Sequence, residues 1–204
     1  MMPNKRRIIV DNDGCDVFLC DGGSYEQFTA LRFAGLAGTG ATTVFYTPQS
    51  VGLNRFTHNT RVGTVITDGE TVFERNIAPE LIARGTDCFE YAIRFCREHK
   101  LEIFFGMRMN DTHDAGRHYD LNHNALKREH PECLLGTREN RPRHGAWTAL
   151  NTYASRCGIW LFACWRRPAK TTIWMACTWI FSAIPCFSRA PPMANMPRGR
   201  RSRR

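Results

Sequence analysis

The chain has 204 residues and is 43% hydrophobic, with 28 Lys+Arg against 19 Asp+Glu and a formal net charge of +9. That length suits one domain, or a small domain with a tail. Nine cysteines is an odd number, and the start "MMPNKRRIIV" is basic with no apolar stretch behind it, which argues against a secreted, disulfide-framed class and points to a cytoplasmic protein.

"RRIIVDNDGCDVF" opens the pattern with a β-branched run, Ile8 to Val10, that runs into Asp11, Asn12, Asp13 and Gly14. This reads as a buried strand delivering polar groups at its C-terminal end. "SYEQFTALRFAGL" follows as a helix, with Ser24 as N-cap and Phe28, Leu31 and Leu36 on an inward face. "ATTVFYT" (41–47) is a second strand stopped by Pro48, and residues 49–76 read as a long polar loop without a clear period. A second helix starts near Asp87 and turns Cys88, Tyr91, Ile93, Phe95 and Cys96 mostly inward. "LEIFFGMRMNDTHD" is a third strand that again ends in polar residues.

Strand and helix alternating at this spacing predict an α/β fold with a parallel sheet, and function in such folds collects after the strand C-termini. No glycine-rich phosphate loop follows the first strand. The acidic "DNDGCD" there would repel a pyrophosphate, so nucleotide binding is a poor reading and a barrel the better one.

Two polar clusters fall at those ends. Asp111 and Asp114, with Asp13 on the neighbouring strand end, are candidates for a carboxylate pair doing acid/base work on a glycosidic bond. Equally, Asn110 and Asp111 can simply organise the loop. His113, His118, His123 and Asp120 add possible metal ligands, but their spacing matches no closed zinc pattern, and neither metal nor cofactor is expected. His58 and Asn59 in the long loop are candidates to reach the same mouth. Trp147 in "GAWTALN" is either a sugar-stacking platform or a core residue. Cys15, Cys20, Cys88, Cys96 and Cys133 show no disulfide-like spacing.

"NDGCDVF", "AGTGATTVFY", "FTHNTRVGTV", "LIARGTDCFEYAIRFCREHKLEIFFGMRMNDTHD", "LKREHPECLLG" and "GAWTALNTYAS" together resemble the family 10 glycosylhydrolase-like barrel proteins, from about Arg7 to Ser155. "RMNDTHD" followed by "KREHPE" is the specific part. The resemblance implies a (β/α)8 barrel acting on carbohydrate, of which residues 1–155 would supply about three βα units. It carries Asn12 and Asp13 after the first strand, and Arg108, Asn110, Asp111, His113 and Asp114 after the third. The carboxyls of Asp13, Asp111 and Asp114 are then candidate catalytic groups. Asn12, Arg108, Asn110, His113 and Trp147 are candidate substrate-binding groups.

Beyond residue 155 the resemblance stops and the composition changes. All acids lie between Asp11 and Glu139; residues 1–139 net −3, whereas 140–204 net +12, and four of the five tryptophans fall after residue 147. "TTIWMACTWIFSAIPCF" (171–187) is apolar but only 17 residues long, short of the about 20 needed for a span, and basic on both flanks. "RGRRSRR" (198–204) suits phosphate neutralisation but leaves the tryptophans unexplained. A membrane-associated or nucleic-acid-binding tail is therefore the alternative reading.

A frameshift near Ser155–Arg156 accounts for more. Joining the last base of each codon to the first two of the next forces Asp from Trp174–Met175, Gly from Met175–Ala176 and Asp from Trp179–Ile180. Cys177–Thr178 gives only His or Tyr. With permitted choices elsewhere, residues 156–167 become "VRDLAFRLLEE", an amphipathic helix. Residues 156–204 thus read as an out-of-frame tail, and a chain lacking later barrel strands is expected to be inactive and to self-associate through exposed sheet edges. DNA spanning codons 150–160 checks this: the expected result is a one-base offset from homologous genes, and a shared frame refutes it.

Overall fold

The computed structural model describes residues 7–49, 54–61, 63–68, 73–108, 110–116, 123 and 125–151. The tail from 156 onward, with its span, nucleic-acid and out-of-frame readings, lies outside them, as do His118 and Asp120. Among the described residues no helix is long and apolar enough to cross a membrane.

The fold is mixed α/β around a three-stranded parallel sheet in the order β1 (Ile9–Asn12), β2 (Thr43–Tyr46), β5 (Glu102–Phe105). The register pairs Asn12 with Tyr46 and Tyr46 with Phe105, so the three strands stop at one level. Between them lie α1 (Asp16–Leu19), α2 (Tyr25–Arg32), α3 (Ala78–Ala83) and α4 (Cys88–Glu98), and α5 (Ala125–Glu129) follows β5.

The helix starts are where local chemistry demands them. Ser24 accepts from the Gln27 N–H, and the Gln27 side chain returns to the Ser24 N–H, a complete capping box. Asp87 caps α4 by accepting from Glu90 N–H at 2.8 Å, and its second oxygen accepts from Asn59 N–H at 3.0 Å. The cap of α4 therefore also ties down the preceding loop.

That loop carries more order than its sequence suggests. Arg55–Phe56 (β3) and Thr64–Val65 (β4) form a short parallel pair. Phe56 lies edge-on to His58, which also meets Phe89 and Phe105. His58 is thus packed into an aromatic cluster, where burial depresses its pKa against the opposing effects of Asp87 and the Pro48 carbonyl.

One core holds the sheet and helices together. Val44 and Tyr46 from β2 bury against Phe28 and Phe33 from the α2 segment and Phe89, Ala92, Phe95 and Cys96 from α4. Phe33 contacts both Tyr46 and Phe95, with ring centroids 5.8 and 5.3 Å apart. Leu31, expected inward, is 44% exposed. The buried arc of α2 runs through Phe28 and Thr29, with Tyr25 at its margin, and position 31 falls outside it. In α4, Cys88, Phe95 and Cys96 are buried as expected, while Tyr91 and Ile93 pack at the core margin.

Strand alternation places Ile9, Asp11, Phe45, Glu102 and Phe104 on the opposite face of the sheet. Ile9 is 51% exposed there, and Phe45 and Phe104 stack edge-on at 5.4 Å outside the helix-covered core. Among the described residues the core is therefore one-sided.

Cys15, Cys20, Cys88 and Cys96 form no disulfide, whereas Cys133 is disulfide-bonded. Bonding at Cys133 corrects the expectation from spacing, which registers only local cysteine pairs. Burial pushes the Cys88 and Cys96 thiols up to about 12, so neither forms a thiolate readily.

Gly14 joins the β1 end to the β2 end. Its φ is +71°, and a Cβ added there would lie 2.0 Å from the Thr47 carbonyl oxygen. Strain and backbone clash combine, so Gly14→Ala is expected to cost about 2 kcal/mol or more. A urea-unfolding midpoint equal to that of the unaltered chain would show that the turn tolerates a side chain.

Candidate functional site

Because the sheet is parallel and in register, the polar residues after β1, β2 and β5 meet at one end. Backbone bonds set the level: Thr47 N–H donates to Asn12 O at 2.8 Å, Gly106 N–H to Tyr46 O at 2.7 Å, and Arg108 N–H to the Gln49 side-chain oxygen at 2.9 Å. Gln49 is fully buried and thereby positions the arginine.

At the β1 end, Asn12 is buried and its side-chain oxygen accepts from Gly14 N–H at 3.0 Å, closing the turn. Asp13 is half-exposed and is paired with Arg32 from the last turn of α2. Burial alone would raise the Asp13 pKa. The Arg32 hydrogen bond and charge, the Cys15 N–H and the Arg108 charge outweigh it and hold the carboxyl below its ordinary range. Arg32 Nε also stands 3.8 Å from the wholly buried Asp16 carboxylate. Asp16 shifts the other way: burial raises its pKa, only partly offset by Arg32, the Tyr46 hydroxyl and Asn12.

Asp11, on the helix-free face, also has a raised pKa. Burial and repulsion from Asp13 raise it, and Arg108 lowers it. Arg108 therefore stands electrostatically between the first strand end and the third. Its guanidinium is 4.0 Å from Asp111.

The third strand end is built on two buried carboxylates. Asp111 accepts from His113 twice, from the backbone N–H at 3.1 Å and from ring Nδ1 at 2.8 Å. Burial raises the Asp111 pKa, but the His113 contacts and the Lys127 charge overcome this and hold it below the usual carboxylate range. Asp114 lies between His123 Nδ1 at 2.7 Å and Lys127 Nζ at 2.9 Å, and Nζ donates to the Asp111 carbonyl at 2.6 Å as well. Lys127 comes from α5, so this amine fastens α5 to the loop after β5.

The other nominated residues go elsewhere. Asn110 forms a two-way amide clamp with the Leu150 backbone, donating to its carbonyl at 3.1 Å and accepting from its N–H at 3.0 Å. Trp147 is 6% exposed, so its ring is a core element and offers no open stacking face for a sugar. Asp111 and Asp114 are likewise buried and engaged with basic side chains, which leaves Asp13 as the nominated carboxyl that a ligand can touch. His58 and Asn59 serve the loop and the α4 cap rather than this end. Among the described residues, no group of three or more His, Cys, Asp or Glu is placed to hold a metal.

Arg32, Gln49 and Lys127 were not anticipated. Arg32 has a faint signal, an arginine four residues after Phe28 on an otherwise inward arc. Lys127 has none, since "LKRE" reads as a solvated helix face.

No family model matches the chain, and no curated protein matches it in sequence.

Removing Lys127 leaves the buried Asp114 carboxylate with His123 alone. Breaking such a pair from one side costs about 3–5 kcal/mol, so Lys127→Met is expected to lower the unfolding midpoint sharply. A loss below about 1 kcal/mol, the range of exposed ion pairs, would mean that the pair is hydrated.

Proposed function

We propose that residues 1–155 are the opening segment of a glycoside-hydrolase-like (β/α)8 barrel, and that its strand ends form one half of a carbohydrate site. The observation that carries this reading is the one-sided core. Helices cover one face of the parallel sheet, while the other keeps Asp11, Phe45 and Phe104 clear of the core cluster. In a closed barrel that second face is the interior, and the polar groups after the strands line the mouth. Asp13, Arg32 and Arg108 supply an ionised acceptor flanked by donors, the combination that hydrogen-bonds sugar hydroxyls.

The half-site does not amount to a glycosidase. Hydrolysis needs two positioned carboxyls across the scissile bond, and among the described residues Asp13 stands without an open partner from a later strand. The three described sheet strands cannot close a barrel by themselves, so the edges of β1 and β5, which no described strand pairs, and the apolar second face favour association with a second copy. Among the described residues, the unbridged thiols of Cys20, Cys88 and Cys96 support a cytoplasmic setting, and the bonded Cys133 stands against it.

The expected result with a panel of p-nitrophenyl glycosides is release below about 0.01 per second, against roughly 1–10³ per second for working enzymes. Oligosaccharides should still perturb NMR resonances around Asp13, and Asp13→Ala should abolish those shifts. Turnover in the ordinary enzyme range overturns the half-site reading. Shifts that persist in Asp13→Ala overturn the role of Asp13.

A further inference from the structure

Asp13 and Arg32 meet at a single point. Arg32 Nη1 donates to Asp13 Oδ1 and also, at 3.4 Å, to the Asn12 side-chain oxygen. That oxygen accepts from Gly14 N–H at 3.0 Å as well, so the turn after β1 fastens the guanidinium in place. Arg32 Nε faces the buried Asp16 carboxylate at 3.8 Å. Asp13 Oδ1 takes a second contact, from Cys15 N–H at 3.4 Å.

These contacts use one oxygen of the Asp13 carboxylate and two nitrogens of the guanidinium. Among the described residues, Asp13 Oδ2 and Arg32 Nη2 bond neither to each other nor to any other group. Each is one carbon removed from the Oδ1–Nη1 contact, so an acceptor and a donor stand side by side. Both side chains reach solvent, with 47% exposure for Asp13 and 35% for Arg32. Burial works to raise the Asp13 pKa, but the Arg32 bond and charge, with Cys15 N–H and Arg108, hold it below the ordinary range. Near neutral pH Asp13 is therefore ionised and only accepts, while a guanidinium only donates.

A ligand that fits this edge offers a hydrogen and a lone pair from adjoining groups. It is also uncharged, since an anion meets Asp13 and a cation meets Arg32. Two hydroxyls on neighbouring carbons satisfy both conditions. We propose that Asp13 Oδ2 and Arg32 Nη2 together read a vicinal diol, one hydroxyl donating to the carboxylate and the next accepting from the guanidinium. Asn12 and Asp16 are positioning residues for Arg32. The pair rests on the reading of the strand ends as a carbohydrate site, and it names the feature of the sugar held there. It makes Asp13 a binding acceptor rather than the proton donor of a hydrolysis.

Two small probes test this with the full chain. The hydroxyls of 1,4-anhydroerythritol form one cis-diol on a tetrahydrofuran ring, and 3-hydroxytetrahydrofuran is the same ring with a single hydroxyl. NMR titration follows the Asp13 carboxyl carbon and the Arg32 Nε–H. A hydrogen bond to a charged group is worth about tenfold in affinity or more, so the diol is expected to bind about tenfold more tightly than the single alcohol. Arg32→Lys keeps the charge between Asp13 and Asp16 but has no second planar donor beside Oδ2. It is expected to bring the two affinities within about twofold of each other, whereas a general loosening of the fold would weaken both and keep their ratio.

Equal affinities in the unaltered chain, a diol that shifts neither resonance, or a tenfold preference that persists in Arg32→Lys each overturn the diol pair. If Arg32→Lys fails to fold, the comparison in the unaltered chain decides alone. A diol preference without any oligosaccharide binding overturns only the carbohydrate reading. Oligosaccharide binding at Asp13 without a diol preference overturns only the pair.

Discussion

The parallel pairing that aligns Asn12, Tyr46 and Phe105 in one row brings three strand ends to a common level. Antiparallel pairing would send alternate strand ends to opposite sides of the molecule. Here each strand delivers its polar run to the same side, where one strand's carbonyl is satisfied by the N–H just beyond the next. Asp13, Gln49, Arg108 and Asp111 meet because of that register, although they are spread over almost a hundred residues of chain. Gly14 belongs to the same constraint, since the turn after β1 passes too close to Thr47 for any side chain.

A row of strand ends facing one way concentrates charge, and the fold answers with matched partners drawn from the helices. Arg32 of α2 sits between Asp13 and Asp16, and Lys127 of α5 is buried against Asp114. A buried ion pair adds little net stability over an apolar filling, but losing one member is costly. Such pairs therefore fix where α2 and α5 attach rather than how strongly the whole holds. The same accounting separates the acids. Asp111 and Asp114 are enclosed and support the loop, whereas the Asp13 side chain is 47% exposed.

Among the described residues the core lies on one side of the sheet. Aromatic contacts from Phe28 through Phe33 and Tyr46 to Phe89 and Phe95 hold the helices to one face. The other face keeps Phe45 and Phe104 together without joining that core. A doubly wound sheet needs helices on both faces, while a barrel strand needs them on one.

Element type and order were legible in the sequence because they rest on short-range physics. β-branched and aromatic runs made the three strands, and Ser24 and Asp87 marked helix starts by satisfying N–H groups within three residues. That polar residues follow each strand was equally a local fact. The short β3–β4 pair escaped because two-residue strands leave no period to detect. What only the tertiary structure decided was which polar residues face out. Asp13 and Asp111 have similar neighbours in sequence, yet one pairs with a surface arginine and the other is sealed beneath His113, Arg108 and Lys127. Burial and charge pairing depend on groups from distant segments, so no local pattern of residues contains them.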